Sequence, residues 1–193
     1  MNPARRNRLR EAAIVVLADA GGRGLTHRAV DLVADVPPGT AKNYFPTRDA
    51  LLRAAAERCV ENYQELAARM AAAVPVDGGR EDLVTLVRGL LANAAGPGRP
   101  RLLAYRELQA EAGRRPWLAE VLDPIAAADF AWFGQVLRTA DPSVTPARAT
   151  LLTLVLHGAL THLSAGGART LDAAGLDDPD RFARELLAVA LPG

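Results

Sequence analysis

The sequence predicts an all-α protein: an N-terminal three-helix helix-turn-helix unit, then a larger helical body, about nine helices in all. Two observations carry that expectation. Half of the 193 residues are hydrophobic but only 5% are aromatic, so the core must be built mainly from Ala, Leu and Val. A chain rich in Ala, Leu and Arg favours helix. Apolar residues also recur at helical spacing in one segment after another, and no stretch shows the period-two alternation of a strand.

The first helix is expected from about Pro3 or Ala4 to Ala20. Leu9, Ala12, Ala13, Val16, Leu17 and Ala20 fall on one helical face, and Gly21, Gly22 and Gly24 end the run. Thr26 stands where an N-cap belongs, ahead of a second helix whose inner face is Val30, Val33 and Ala34. Asp35-Val36-Pro37 forms the turn, with Asp35 suited to a left-handed backbone and Val36 pointing inward. A short helix follows around Pro38–Phe45, begun by a proline that needs no N–H there and stopped by Pro46. Thr47 caps a long fourth helix, Thr47–Val74, with Asp49 in its first turn. Its apolar stripe runs from Leu51 through Cys59 and Tyr63 to Met70, and Pro75 and Gly78-Gly79 end it. Further helices are expected at 80–95, 100–114, 116–139, 146–165 and 179–191, separated by Pro- and Gly-rich breaks. The division is residues 1–50 and 51–193.

Net charge is only +1, but it is unevenly placed. Residues 1–53 hold nine basic and five acidic residues, and the other 140 hold fourteen and seventeen. A basic N-terminal third suggests a local polyanion-binding face. The single cysteine, Cys59, forms no intrachain disulfide or multi-Cys zinc site, and its apolar neighbours suggest a buried thiol. The N-terminus does not read as a signal peptide, and no apolar run reaches the roughly 18–20 residues of a membrane span. The expectation is a cytoplasmic protein with no membrane partner.

Leu25–Leu52 carries the chemistry. The short helix offers Thr40, Lys42, Asn43 and Tyr44 close together, and Lys42 is the only lysine in the chain. Small polar, cationic, amide and phenolic groups near a helix N-terminus suit base edges and phosphates in a DNA major groove.

This segment, with the helix before it, resembles the DNA-binding domain of the tetracycline-repressor (TetR) family. The residues that carry the resemblance are Thr26-His27-Arg28, Val36-Pro37-Pro38-Gly39-Thr40, Asn43-Tyr44-Phe45-Pro46 and Thr47-Arg48-Asp49-Ala50-Leu51-Leu52. They span about a quarter of the chain. The chain departs from the family pattern with Asp35 in place of Gly, Pro37 in place of Ser or Thr, and Ala41-Lys42 in place of Leu-Tyr. The resemblance implies a transcriptional regulator, a repressor released from its operator by a small-molecule effector. It also implies a homodimer on double-stranded, palindromic DNA, built from the helices at 146–165 and 179–191. The dimer surface would include Leu151, Leu152, Leu154, Val155, Gly158, Ala159 and Thr161, with Phe182, Leu186, Leu187 and Val189 opposite. Two reading helices would then lie about one DNA turn apart, roughly 34–36 Å.

Within this frame Thr40, Lys42 and Asn43 are the candidates for base contact, alongside Pro38 and Gly39 at the start of the helix. Tyr44, Thr47 and Arg48 are candidates for phosphate, and Thr26 and Arg28 for the other strand's backbone. Arg5, Arg6, Arg8 and Arg10 either extend this footprint or form a solvated end. Phe45, Val36 and Ala13 are scaffold, and His27 lies near DNA or simply at the surface. In the body, Tyr63, Tyr105, Trp117, Phe130, Phe133 and His157 are weak candidates for effector contact, each better suited to core packing or a solvated surface. Arg106, Glu107, Gln109 and His162 are further polar groups without a fixed role.

Enzyme motifs are missing. Only Ser143 and Ser164 occur as serines, with no G-x-S-x-G elbow; His157 and His162 are five residues apart, with no H-E-x-x-H. Neither metal nor cofactor is expected. The rival reading is a helical small-molecule-binding protein or enzyme whose N-terminal motif is only structural.

Overall fold

A computed structural model describes residues 2–73 and 79–190. Among these the chain forms ten helices and no strand: α1 Pro3–Gly24, α2 His27–Val33, α3 Thr40–Tyr44, α4 Arg48–Ala73, α5 Arg80–Ala95, α6 Arg99–Ala112, α7 Pro116–Ala140, α8 Pro146–Ala165, α9 Ala168–Ala173 and α10 Pro179–Ala190. The all-α class holds. The expected ends at Val74, Pro75, Gly78 and Leu191 lie outside the described residues.

Local chemistry explains most boundaries. The Asn2 side chain accepts the Arg5 N–H at the start of α1, and Thr26, Thr47 and Thr145 accept the N–H three residues on at α2, α4 and α8. Pro146 occupies the first turn of α8, where no donor is required. Four expectations need correction. Helical structure continues to Gly24, past a break at Gly21 where φ is +66°. Ala20 is exposed, and so is Val33, because α2 buries Val30 and Ala34 and turns Val33 outward. The short helix expected from Pro38 starts at Thr40. The break expected after Gly167 contains α9, a turn and a half too short to show periodicity.

The chain divides into two compact units, Met1–Leu66 with Pro100–Ile125, and Ala67–Arg99 with Ala126–Gly193. The first packs Leu9, Ala13 and Leu17 of α1 against Val30, Ala41, Leu51, Leu52 and Ala55, with Ala104, Leu108 and Leu118 added by α6 and α7. Each fully buried leucine contributes about 1.5–3 kcal/mol. Cys59 belongs to this core, as expected, and burial pushes its thiol up to about 12. The second unit packs Leu83, Val87 and Leu91 of α5 against Phe133, Leu137, Leu152, Leu156 and Leu187. Its exposed α5–α10 ion pairs, Arg184–Glu81 and Arg88–Asp180, add little.

An arginine cluster ties α1 to α4. Arg10 is buried; its Nε donates to the Ala54 carbonyl at 3.2 Å and its two Nη groups to Glu61 at 2.6 and 3.1 Å. Arg10 therefore serves the scaffold and does not extend a solvent-facing footprint. Arg58 adds Glu11, Glu61 and Glu65 at 2.6, 3.1 and 3.0 Å. The hydrogen bond from Arg10 is the main cause holding the Glu61 carboxyl below its ordinary range, with Arg58 adding to it. The contribution is thus full at neutral pH and is lost as pH falls through the depressed folded-state value. We expect Glu61→Gln to lower stability at pH 7 and to flatten the acid limb of a urea-midpoint-versus-pH curve. An equal loss of stability at pH 7 and pH 3 would contradict this assignment.

Candidate nucleic-acid interface

The end of α2 is built by two backbone bonds. Asp35 N–H donates to the Leu32 carbonyl and Val36 N–H to the Asp31 carbonyl, both at 3.1 Å. This is the Schellman pattern, with the left-handed residue at Asp35, φ +50°. Asp35 takes the conformation its sequence position predicts, and Arg8 braces it with bonds to its carbonyl and carboxylate.

Pro37-Pro38-Gly39-Thr40 then makes a type II turn. Thr40 N–H donates to the Pro37 carbonyl at 3.1 Å, and Gly39 has φ +89° and ψ −8°. Glycine suits the left-handed position of this turn, and proline pre-sets the residue before it. Pro38 thus belongs to the turn that feeds α3.

Within α3, Ala41 is fully buried, and Phe45 just beyond it is buried with the Arg6 guanidinium 5.6 Å from its ring centre. His27 Nε2 donates to the Phe45 carbonyl at 2.6 Å, linking the start of α2 to the end of α3. The Asp31 carboxylate, only 3% exposed, accepts the Gly39 N–H at 2.7 Å and the Ala41 N–H at 2.6 Å. Sequence reading overlooked Asp31, whose one signal was an acid next to Val30 in an otherwise apolar run.

The remaining candidates face outward to differing degrees. Arg28, Pro38, Gly39, Lys42, Asn43, Thr26 and Thr47 are exposed, and Thr40 and Tyr44 are half-buried. The Thr40 hydroxyl donates to the Pro37 carbonyl. Arg48 points inward: its guanidinium donates to the carbonyls of Leu25 and Gly22. The Gly22 N–H in turn donates to Glu107 of α6 at 2.7 Å. Gly21 takes a left-handed φ of +66°, which favours glycine. A Cβ on Gly21 would lie 3.0 Å from the Glu107 carboxylate, and one on Gly22 2.9 Å from Glu111. Glu111 is itself buried and paired with Arg114 and Arg115, and Arg115 also reaches Asp49 at the start of α4.

The weak effector candidates fall into two groups. Tyr63, Tyr105 and Trp117 pack partly buried on the first core, with Arg53 4.5 Å from the centre of the Trp117 ring system. Phe133 is buried in the second core. Phe130 meets His157 edge-on at 5.6 Å, and His157 Nε2 lies 3.0 Å from Asp129. Among the described residues no three His, Cys, Asp or Glu side chains group as a metal site, and no helix is long and apolar enough to cross a membrane.

Residues 78–193 match the family described as tetracyclin repressor-like, C-terminal domain. The chain belongs to the TetR family. It is a ligand-responsive, helical, DNA-binding transcriptional regulator. No curated protein matches it. Among solved structures it is 32% identical to the multidrug binding protein EbrR complexed with proflavin, covering 97% of this chain and 99% of that one with a TM-score of 0.60. A TetR-family member from Streptomyces coelicolor A3 is 30% identical over 99% and 100%, with a TM-score of 0.64. GusR of Salmonella enterica, 21% identical over 100% and 98% with a TM-score of 0.70, shares the fold.

Proposed function

We propose that this TetR-family chain represses transcription as a homodimer on a palindromic operator and is released by a small molecule held in its body. Residues 1–50 read the DNA and residues 51–193 carry effector binding and dimerisation. It acts in the cytoplasm as a regulator, not an enzyme. The observation that carries the reading is the division of labour around α3: Ala41, Phe45, His27 and Asp31 fix it from within, while Lys42 and Asn43 are exposed. Lys42 suits guanine and Asn43 adenine. Thr26, Arg28, Tyr44 and Thr47 suit the sugar-phosphate backbone. Arg48 acts by holding the α1–α2 loop through its two carbonyl bonds, more than by touching phosphate.

Fragments of the source genome selected on the protein should yield one palindrome bound with a steep salt dependence. Lys42→Ala and Asn43→Ala should each remove about 1–3 kcal/mol of discrimination against altered base pairs. Arg48→Ala should weaken binding to all sequences alike. Unchanged base preference in both of the first two variants would remove α3 as the reader.

The dimer rests on α8. Leu152, Leu156 and Ala159 face into the second unit, whereas Leu151, Leu154 and Val155 are 64%, 52% and 48% exposed. On α10, Leu186 and Leu187 are buried and Val189 is 76% exposed. Three large aliphatic side chains clustered on one exposed helix face suit a covered interface. Leu154→Glu should yield a monomer in analytical ultracentrifugation; a persisting dimer would place the interface elsewhere.

For the effector, Phe130 packs edge-on with His157, whose Nε2 meets the Asp129 carboxylate, and aromatic rings with a nearby carboxylate suit a flat aromatic cation. EbrR is complexed with proflavin, malachite green and ethidium in its structures. Malachite green titrated calorimetrically into the DNA-free protein should bind in the micromolar range, about −8 kcal/mol, and more weakly to Asp129→Asn. Equal binding to both proteins would dismiss this assignment.

A further inference from the structure

We infer that Asp31 is a positioning residue for operator recognition: from α2 it supplies the N-terminal cap that the chain entering α3 lacks, and so sets how α3 is presented to DNA. The inference rests on α3 being the DNA reader. Its basis is a count of hydrogen-bond donors. A helix start leaves backbone N–H groups without intrahelical partners, normally met by a Ser, Thr, Asp or Asn side chain just before it. Here Pro37 and Pro38 offer no such side chain, and Gly39, the cap residue, has none at all. Thr40 N–H is met by the Pro37 carbonyl. The N–H groups of Gly39 and Ala41 go to the two oxygens of one carboxylate, eight and ten residues upstream.

Asp31 is well placed to act as a fixed reference. Its own carbonyl accepts the Val36 N–H that closes α2, so one residue anchors both sides of the turn. It is 3% exposed and so makes no contact with DNA itself. An isolated five-residue helix is not stable in water, so the angle of α3 is set by tertiary contacts alone. Ala41 and Phe45 supply non-directional apolar contacts, whereas the Asp31 bonds are directional and charge-assisted.

The charge itself opposes DNA binding. A carboxylate close behind a DNA-facing helix repels phosphate. If charge were its main effect, Asp31→Asn would bind DNA more tightly. If capping is its main effect, Asp31→Asn keeps one acceptor oxygen, loses the other, and binds the operator more weakly. A hydroxyl introduced at Pro37, two residues before Gly39, would offer a local acceptor for one of the two N–H groups that Asp31 meets.

The test uses the full chain, the genomic fragment selected by the unmodified protein, and a scrambled duplex of equal length. Asp31→Ala should weaken fragment binding by roughly tenfold or more, because only a fraction of molecules then present α3 correctly. Scrambled-duplex binding should change by less than about twofold. Amide exchange at Gly39 and Ala41 should quicken by roughly tenfold or more, with buried α1 amides unaltered. Adding Pro37→Ser to Asp31→Ala should restore part of the fragment affinity, through the Gly39 N–H alone. Asp31→Asn should fall between Asp31→Ala and the unmodified chain, and it serves alone if Asp31→Ala does not fold. The inference is overturned if fragment affinity is unchanged in both variants or rises in Asp31→Asn. It is equally overturned if fragment and scrambled binding fall together without rescue by Ser at position 37. Faster exchange at Gly39 and Ala41 with intact fragment affinity would sink the positioning role and leave α3 as the reader. Failure of the unmodified chain to select any fragment would remove both.

Discussion

A helix of five residues, α3, cannot hold itself together, and its surroundings are organised around that constraint. Helix nucleation fixes several residues for one hydrogen bond, so a helix this short depends on its neighbours. α2 supplies most of that dependence. Its last turn places Asp35 in the left-handed region, its Asp31 carboxylate meets two N–H groups, and its first residue, His27, holds the far end through the Phe45 carbonyl. The apolar pegs Ala41 and Phe45 fix depth, and the polar bonds fix angle. α2 and α3 are therefore joined as one element through the Pro37–Thr40 turn.

The distribution of arginine follows the same logic. The first 53 residues hold nine basic groups, but several are committed to the fold. Arg10 is buried against Ala54 and Glu61, Arg48 clamps two carbonyls, Arg8 braces Asp35 and Arg6 lies against Phe45. A guanidinium suits this work because its five donors fork onto carbonyls and carboxylates together. The lone lysine is kept for α3, where it is exposed. A compact ammonium on a flexible stem is poorly suited to bracing and well suited to reaching a base edge.

What the sequence made legible was local. Helix limits at Thr26, Thr47, Pro116, Pro146 and Pro179 follow from caps and prolines, and the left-handed Asp35 follows from a residue that tolerates it. What it hid was long-range. Asp31 reads as a surface acid until Gly39 and Ala41 fold over it. Arg10 reads as part of a basic end until Glu61, a long way along the chain, reaches it. Pro38 follows the rule for a first helical residue, but Gly39 competes for a type II turn and wins, delaying α3 to Thr40. The exposure of Lys42 and Asn43 on a short helix was legible because they sit in an ordered motif. The body residues were not, since the same aromatic side chains serve packing and ligand contact alike.

One residue shows how little is needed to link α6 and α4 to the loop that enters α2. The Gly22 N–H is held by Glu107 of α6, and its carbonyl by Arg48 at the start of α4. Neighbouring Gly21 has φ +66°, and both glycines lie against carboxylates where a Cβ would crowd. α6 and α4 are thus joined through the loop that leads into α2. A ligand shifts operator affinity only by its differential affinity for two arrangements of the chain. A tenfold change corresponds to about 1.4 kcal/mol, roughly the net worth of one hydrogen bond to a charged group. An arrangement that kept every core contact but lost the Glu107–Gly22 bond would therefore differ from the one described here by enough free energy to matter. The loop has glycine at its left-handed position, Gly21, and charge-assisted bonds on both sides of Gly22.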